Sequence, residues 1–424
     1  MKPESPGIIA AEILSTGEEL RTGAVVDTNS AHIARELETL GIRVQRHLCT
    51  GDTLEEIAGV LGEISGRVPI AVVTGGLGPT VDDRTAEAAA LAAGVRLRLD
   101  PEALSQIEAY LAARGLAPSP ANRKQALMPE TAVVIPNPVG TAPGFQMKIG
   151  GCRFFFLPGV PMEMKVMVAD RLIPALSRLV EGGVERVRVG VLSTFGLPES
   201  VLNEQVCELE KLFPGVRLGL QVRFPEIDVR LYPEPGRADV DAERIDAAEA
   251  WVAARLGHRL LSRQGLGMAA ETGRLLAERG ATLALAESCT GGLIATMVTD
   301  VAGSSAYFLL SAVTYSNAAK MSVIGVSPET IGQFGAVHEQ TAGEMAEGVR
   351  RVADADYALS TTGIAGPDGG SADKPVGTVC IGLASRNGVD TYRYRFRFED
   401  REMNRMMFAA TALNRLRLRL LGVS

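Results

Sequence analysis

Two stretches of this 424-residue chain combine residue types and spacings that suit chemistry. The first is "AESCTGG", residues 286–292, where a serine, a cysteine and a threonine precede two glycines. Ser288 falls where the apolar run "LALA" gives way to the helix-like "GGLIATMV". Such a junction can present a nucleophile. Gly291 and Gly292 allow close approach of a substrate, and amides at a helix start can receive an oxyanion. A serine hydroxyl is a poor nucleophile without a base. From residue 263 onward the chain holds one histidine, His338, at a separate helix start, and two lysines, Lys320 and Lys374. Lys320 sits among apolar residues in "TYSNAAKMSVIGV". Burial there would lower its pKa and make it a usable base, giving a Ser–Lys pair. Taken alone, Ser288 reads first as a helix cap, and Thr290 caps equally well. Cys289, with no paired histidine, reads as a small buried residue. Arg401 and Arg405 are four apart and share a helical face, suiting either a nucleotide phosphate or solvated charge.

The second stretch is "TGGLGPTVDDRTAEAAALAAG", residues 74–94. Gly75, Gly76 and Gly78 can bring backbone close to a ligand, and amides at the start of the following helix favour a phosphate. No Gly-Lys-Ser/Thr follows, so this is not a P-loop. Asp82 and Asp83 are expected in the first helical turn, where they serve the helix dipole or coordinate a hard divalent cation such as Mg²⁺. A second acidic loop, "STGEELRTGAVVDTN", would bring Glu18, Glu19 and Asp27 near them if its strand lies beside the one ending at Val73. Facing carboxylates with a phosphate cradle suit metal-assisted attack on a phosphoanhydride.

The elements that must hold these groups alternate between strand and helix. "IIAAEIL" and "PIAVVTGG" read as buried strands, and Ile33, Leu37 and Leu40 fall on one helical face behind the caps Asp27, Thr28 and Asn29. This predicts an α/β domain over 1–168 with a parallel sheet. Residues 169–262 change texture, with strands "VERVRVGVLSTFG" and "EIDVRLYPEPG" and the helical "ADVDAERIDAAEAWVAARLG", and read as a small α+β domain. Residues 263–424 return to α/β. There "GTVCIGLAS" and "VDTYRYRFRF" pair as a hairpin, with Tyr392, Tyr394, Phe396 and Phe398 alternating with a wet arginine face. The half fingerprint in "GLGMAAETGRLLAERG" lacks a clean strand before it and reads as a chance match to a dinucleotide motif.

Composition narrows the classes. The net charge of −7 disfavours a dedicated nucleic-acid binder, and direct nucleic-acid binding is not expected. Five scattered cysteines without a C-x-x-C and only four histidines speak for reduced thiols in the cytoplasm and against a zinc site. No signal peptide is read at the N-terminus, and no apolar run approaches the roughly 20 residues of a membrane span.

Beyond these readings, "ANRKQALMPETA", "NPVGTAPGF" and "FFLPGVPMEM" resemble successive motifs of the N-terminal half of the competence/damage-inducible CinA family, itself similar to molybdopterin-binding domains. The resemblance implies ADP-ribose pyrophosphatase activity with a divalent metal. It gathers Asn122, Arg123, Lys124, Gln125, Asn137, Gly140, Thr141, Pro158 and Gly159 around one pocket. "AESCTGG", "TYSNAAK" and "TTGIAGPDGG…KPVGTV" resemble the C-terminal CinA domain and the stand-alone nicotinamide-nucleotide amidases. That resemblance implies hydrolysis of nicotinamide mononucleotide without a cofactor, with Ser288 as nucleophile, Lys320 as base, and Tyr315 and Thr362 in support. Backbone around Gly363 and Gly366 would line the pocket. The middle segment resembles the family's KH-like domain, and the family adds the expectation of a homodimer. A molybdopterin-handling enzyme and a non-enzymatic competence or DNA-processing accessory are the competing expectations.

Overall fold

The computed structural model describes residues 9–180, 188–234 and 242–423. Ile8, residues 184–187 of the expected middle strand and residues 238–241 of the expected middle helix lie outside them. The fold is mixed α/β with several sheets, in two compact units; the second takes up the chain from Gly190, apart from a short stretch beginning at Pro233 that groups with the first.

In the first unit, β1 (Ala10–Thr16), β2 (Arg43–Thr50) and β3 (Ile70–Thr74) run parallel, and the apolar runs of β1 and β3 are buried because helices cover both faces. A two-stranded ribbon, β4 (Leu97–Leu99) with β5 (Leu127–Pro129), stands apart. β6 (Val133–Ile135), β7 (Gly144–Ile149) and β8 (Cys152–Leu157) complete a six-stranded sheet of order β2-β1-β3-β8-β7-β6. The helix Thr28–Thr39 buries Ile33 and Leu37 fully on one face, as its spacing requires. Because β1 and β3 are neighbours, the two acidic loops do leave the sheet side by side.

The second unit begins with β9 (Gly190–Phe195), β10 (Val216–Arg223), β11 (Glu226–Pro233) and β12 (Leu260–Ser262), in the order β10-β11-β9-β12. Helices Glu199–Val206 and Ala242–Leu256 pack into its core. β13 (Leu283–Glu287), β14 (Phe308–Val313), β15 (Tyr357–Gly363), β16 (Thr378–Ser385) and β17 (Gly388–Arg395) form a second sheet of order β14-β13-β15-β16-β17. Its first three strands are parallel, and β16 and β17 form the expected hairpin, with Tyr392, Tyr394 and Phe396 turned to the core and Arg393, Arg395 and Arg397 exposed.

The middle strands and the C-terminal sheet group in one unit, for visible reasons. Phe195 and Leu261 enter the same core as Phe408 and Leu413 of the last helix, Arg401–Leu420. Glu226 Oε1 accepts the Met268 amide at 2.7 Å, capping the helix Met268–Arg279. Arg417, 2% exposed, donates to the carbonyls of His258 and Leu260 at 2.7 and 3.0 Å.

Candidate functional site

β13 delivers Ser288 at the C-terminal end of a parallel strand, held on both sides. Its amide donates to Thr361 O at 2.9 Å, and the strand end pairs with Val313 and Thr361. Lys320 lies on the helix Asn317–Ile324, which begins just after β14, the neighbouring strand. Its Nζ donates to Ser288 Oγ at 2.9 Å and to the carbonyls of Thr314 and Tyr315 at 2.8 and 3.4 Å. Ser288 is 8% and Lys320 1% exposed. Burial pulls the Lys320 pKa down from the ordinary lysine value, with no carboxylate in hydrogen-bond or ion-pair reach among the described residues to oppose it. In its neutral form the amine keeps two hydrogens for the two carbonyls and turns its lone pair to the serine hydroxyl. Burial also pushes the Cys289 thiol up to about 12, so it is protonated and inert at neutral pH.

Neither Ser288 nor Thr290 caps a helix. The following helix is Leu293–Thr299, its N-cap is Gly292, and its amides are taken by a residue outside the expected site. Glu287 Oε2 accepts from Gly292 and Ile294 at 3.0 and 3.1 Å, and Oε1 accepts from Ala295 at 2.9 Å. The helix-start amides expected to receive an oxyanion are therefore occupied. The amides of Cys289 and Thr290 donate to no oxygen among the described residues, and that of Cys289 bonds its own thiol. The Thr290 hydroxyl instead meets that of Thr361 at 2.7 Å.

The supporting groups fall differently from the expectation. Strand parity turns Thr361 toward the Ser288 loop, while the Thr362 hydroxyl donates to Ala336 O at 2.8 Å. Tyr315 reaches Lys320 with its carbonyl, and its phenol, 61% exposed, accepts from Arg401 Nη2 at 3.2 Å. Arg401 Nη1 donates to Gly366 O at 2.6 Å and Arg405 Nη2 to Thr290 O at 2.7 Å, so both arginines border the loops around Ser288. Gly363 is packing-bound, since a Cβ there would lie 2.5 Å from Thr378 O. A Cβ on Gly291 would come no closer than 3.6 Å to Arg405, but its φ of 61° favours glycine. His338 caps a helix through Nδ1 and stacks on Phe334, away from any base role. Sequence reasoning missed Glu287 and Thr314. The one available signal was a lone acid ending an apolar strand.

In the first unit, a cleft of about 850 Å³ is lined by Glu18, Asp52, Thr80, Asp82, Glu87 and Lys124, among others. An adjoining cavity of about 220 Å³ shares Glu87 and Lys124 with it and is walled by Leu77, Met128 and Phe145. The helix after the glycine loop begins at Thr85, so Asp82 and Asp83 precede it rather than sit in its first turn. Asp83 accepts from the Thr80 amide and hydroxyl at 2.7 and 2.6 Å. Asp27 is spent as the N-cap of Thr28–Thr39, accepting Ser30 N at 2.9 Å and Ser15 Oγ at 2.6 Å. Burial works against its charge, yet these bonds hold its carboxyl below the usual aspartate range. Asp52, absent from the expected set, has its pKa raised by burial and by the nearby Glu19, Asp82 and Asp83. No three such side chains gather closely enough to hold a metal among the described residues, so Asp82, Asp83, Glu19 and Asp27 are not a preformed ligand set.

The three glycines are needed for closeness within the loop. A Cβ at Gly75, Gly76 or Gly78 would lie 2.3 Å from Thr16 O, 2.1 Å from Thr85 Oγ1 or 2.5 Å from an Asp83 oxygen. Lys124 reaches Thr80 O and faces both cavities, whereas Asn122 forms a capping box with Ser119. Arg123 is exposed. Asn137 is buried, donating to Ala142 O at 2.9 Å and to Glu163 Oε2 at 2.7 Å, and Thr141 is half-buried beside it in the chain.

A Ser–Lys pair at the head of a parallel sheet, in a chain whose other α/β unit carries a glycine-loop cleft, defines a two-site α/β protein. Residues 12–178 match the family model of a probable molybdopterin binding domain, and residues 266–420 match that of the CinA C-terminal domain. A CinA-like protein of Desulforapulum autotrophicum is 48% identical over 414 residues, covering 97% of this chain and 98% of the relative. One from Geobacter sulfurreducens is 46% identical over 409 residues, covering 96% and 98%. The solved competence/damage inducible protein CihA from Agrobacterium tumefaciens is 43% identical over 37% of this chain and 97% of its own, with a TM-score of 0.35. The chain belongs to the CinA family. Among the described residues no helix is long and apolar enough to cross a membrane.

Proposed function

We propose that the chain is a two-site hydrolase of pyridine-nucleotide salvage, acting as a cytoplasmic homodimer. Its C-terminal site deamidates nicotinamide mononucleotide to nicotinic acid mononucleotide and ammonia. The observation that carries this reading is the 2.9 Å contact between a buried Lys320 amine and the buried Ser288 hydroxyl. Ser288 Oγ attacks the carboxamide carbon as its proton passes to the neutral Lys320 amine. The Cys289 and Thr290 amides receive the oxyanion. Collapse breaks the C–N bond, and the Lys320 ammonium returns its proton to the leaving nitrogen, which departs as ammonia. Water then attacks the Ser288 ester and gives its proton to Lys320. The C–O bond to Ser288 breaks, the acid leaves, and Lys320 reprotonates the serine. Arg401 and Arg405 are the side chains proposed to hold the nucleotide phosphate. Ammonia release from nicotinamide mononucleotide tests the reading: it is expected from the wild type and lost in Ser288→Ala. Silence of the wild type would refute it.

For the first unit we propose cleavage of ADP-ribose. Support comes from the charged cleft, which suits a diphosphate, joined to apolar space that suits a flat base. Asp82, in the cleft lining, would hold a divalent metal together with the substrate phosphates, and the metal would supply Lewis-acid stabilisation of the diphosphate. The name of the matched family model favours a molybdopterin as the alternative occupant. ADP-ribose turnover that needs added Mg²⁺ and falls in Asp82→Ala supports the first reading. Pterin binding without turnover supports the second.

A further inference from the structure

The residue just before the candidate nucleophile is a carboxylate with no exposure and no cation partner among the described residues. Glu287 ends β13, between β14 and β15, in a strand otherwise composed of leucine and alanine. A carboxylate there is costly unless both oxygens find donors. The donors come from the turn that follows: the amides of Gly292, Ile294 and Ala295 within 3.1 Å, with the Ser311 hydroxyl at 3.4 Å. Its own carbonyl accepts the Thr314 amide at 2.9 Å, one residue before Tyr315 and on the same residue whose carbonyl holds Lys320.

An ordinary N-cap reaches two or three residues forward. This side chain reaches five to eight, across the whole segment that bears Ser288, Cys289 and Thr290. Gly291 and Gly292, with φ of 61° and 92°, fold the chain back so that residues 292–295 lie over residue 287. One end of the nucleophile turn is pinned by Ser288 N on Thr361 O at 2.9 Å, and the other end is pinned by Glu287.

We infer that Glu287 is the positioning residue of the acyl-transfer site: its carboxylate closes the turn that aims Ser288 Oγ at Lys320 Nζ. The inference rests on the reading of Ser288 as nucleophile. Gln in its place keeps the volume but sets an NH₂ donor against backbone donors, so at least one bond is lost and the turn loosens. Asp is one methylene short of the three amides.

The test is the rate at which the full chain is acylated by p-nitrophenyl acetate, read as nitrophenolate release with the ester mapped to Ser288 by mass spectrometry. It is run for wild type, Glu287→Gln, Glu287→Asp and Ser288→Ala, beside kcat and KM for nicotinamide mononucleotide and a thermal melt. Glu287→Gln is expected to slow both acylation and kcat by roughly 10- to 100-fold, with KM little changed, because a misplaced nucleophile loses orientation rather than binding. Glu287→Asp should fall between. A folded Gln variant acylated at the wild-type rate, or a loss confined to KM, overturns the inference. If the Gln variant does not fold, wild-type acylation in a folded Asp variant overturns it equally. Wild type that is acylated on Ser288 yet releases no ammonia refutes the amidase reading and leaves the role of Glu287 standing. Ser288 left unacylated in wild type overturns both.

Discussion

In the C-terminal site the reactive groups are sealed and mutually bonded. Lys320 is bonded to Ser288 and to two carbonyls, and Thr361 and Glu287 pin the serine turn. In the N-terminal cleft Glu18, Asp82 and Thr80 are exposed, and the better-buried acids are committed to the fold. Asp27 caps a helix and Asp83 closes the Thr80 turn. The difference follows from the chemistry each site suits. A serine nucleophile works only if base and hydroxyl meet before the substrate arrives, since orientation is most of what the protein contributes. A diphosphate site can leave part of its assembly to the ligand, because the ligand's own charge draws in a cation and the surrounding carboxylates.

The sharpest way to break the comparison is to remove the preassembled base. Lys320→Ala should lower kcat for amide hydrolysis by about 10²- to 10⁴-fold. Lys320→Arg should be as poor, because a guanidinium keeps its proton. The pH dependence has a definite sign. Burial lowers the Lys320 pKa from the ordinary lysine value, so the active neutral amine accumulates as pH rises, and kcat/KM should climb to a plateau reached below the ordinary lysine pKa. Lys320→Arg with full activity would remove the lysine as base.

Next in size is the split between binding and chemistry. Arg405→Ala should raise KM for nicotinamide mononucleotide by roughly 10- to 100-fold, the worth of a charge-assisted bond to phosphate, with a smaller change in kcat. Tyr315→Phe removes a hydroxyl that touches Arg401 but leaves the carbonyl that holds Lys320. Its effect should be a few-fold rise in KM. Steady-state kinetics separates this from the family resemblance, which makes Tyr315 a group of the chemical step. A collapse of kcat in Tyr315→Phe would favour the resemblance.

Much of this site was legible in the chain. Ser288 ends an apolar run before two glycines, and only two lysines and one histidine were available to serve it. The β16–β17 hairpin announced itself through the alternation of Tyr392, Tyr394 and Phe396 with arginines. What stayed hidden depended on register or on contacts distant in sequence. Whether Thr361 or Thr362 faces the serine turn is decided by strand parity, one residue either way. Glu287 caps across a glycine fold whose positive φ angles no periodicity reveals. The joining of middle strands to the last sheet turns on Arg417, 157 residues beyond the carbonyl of Leu260 it bonds.

The acidic loop shows the same ambiguity most plainly, and it sets the smallest expected effect. An aspartate followed by Thr-Asn-Ser at a helix start can cap or coordinate, and the residue type alone does not choose. Asp27 chooses by its neighbours: the Ser15 hydroxyl donates to one of its oxygens and the Ser30 amide to the other. Asp27→Ala should therefore cost about 1 kcal/mol of stability, the usual worth of an N-cap, and lower the melting temperature by a few degrees. Because the folded-state pKa of Asp27 is depressed, this contribution is fully present above the ordinary aspartate pKa and is lost only as pH falls through the lowered value. The melting difference between wild type and Asp27→Ala should thus be constant near neutrality and shrink in strong acid. Asp82→Ala, at an exposed position without such bonds, should leave the melt unchanged. An unchanged melt for Asp27→Ala, with ADP-ribose turnover abolished, would return Asp27 to the ligand set and make the N-terminal cleft as preassembled as the C-terminal one.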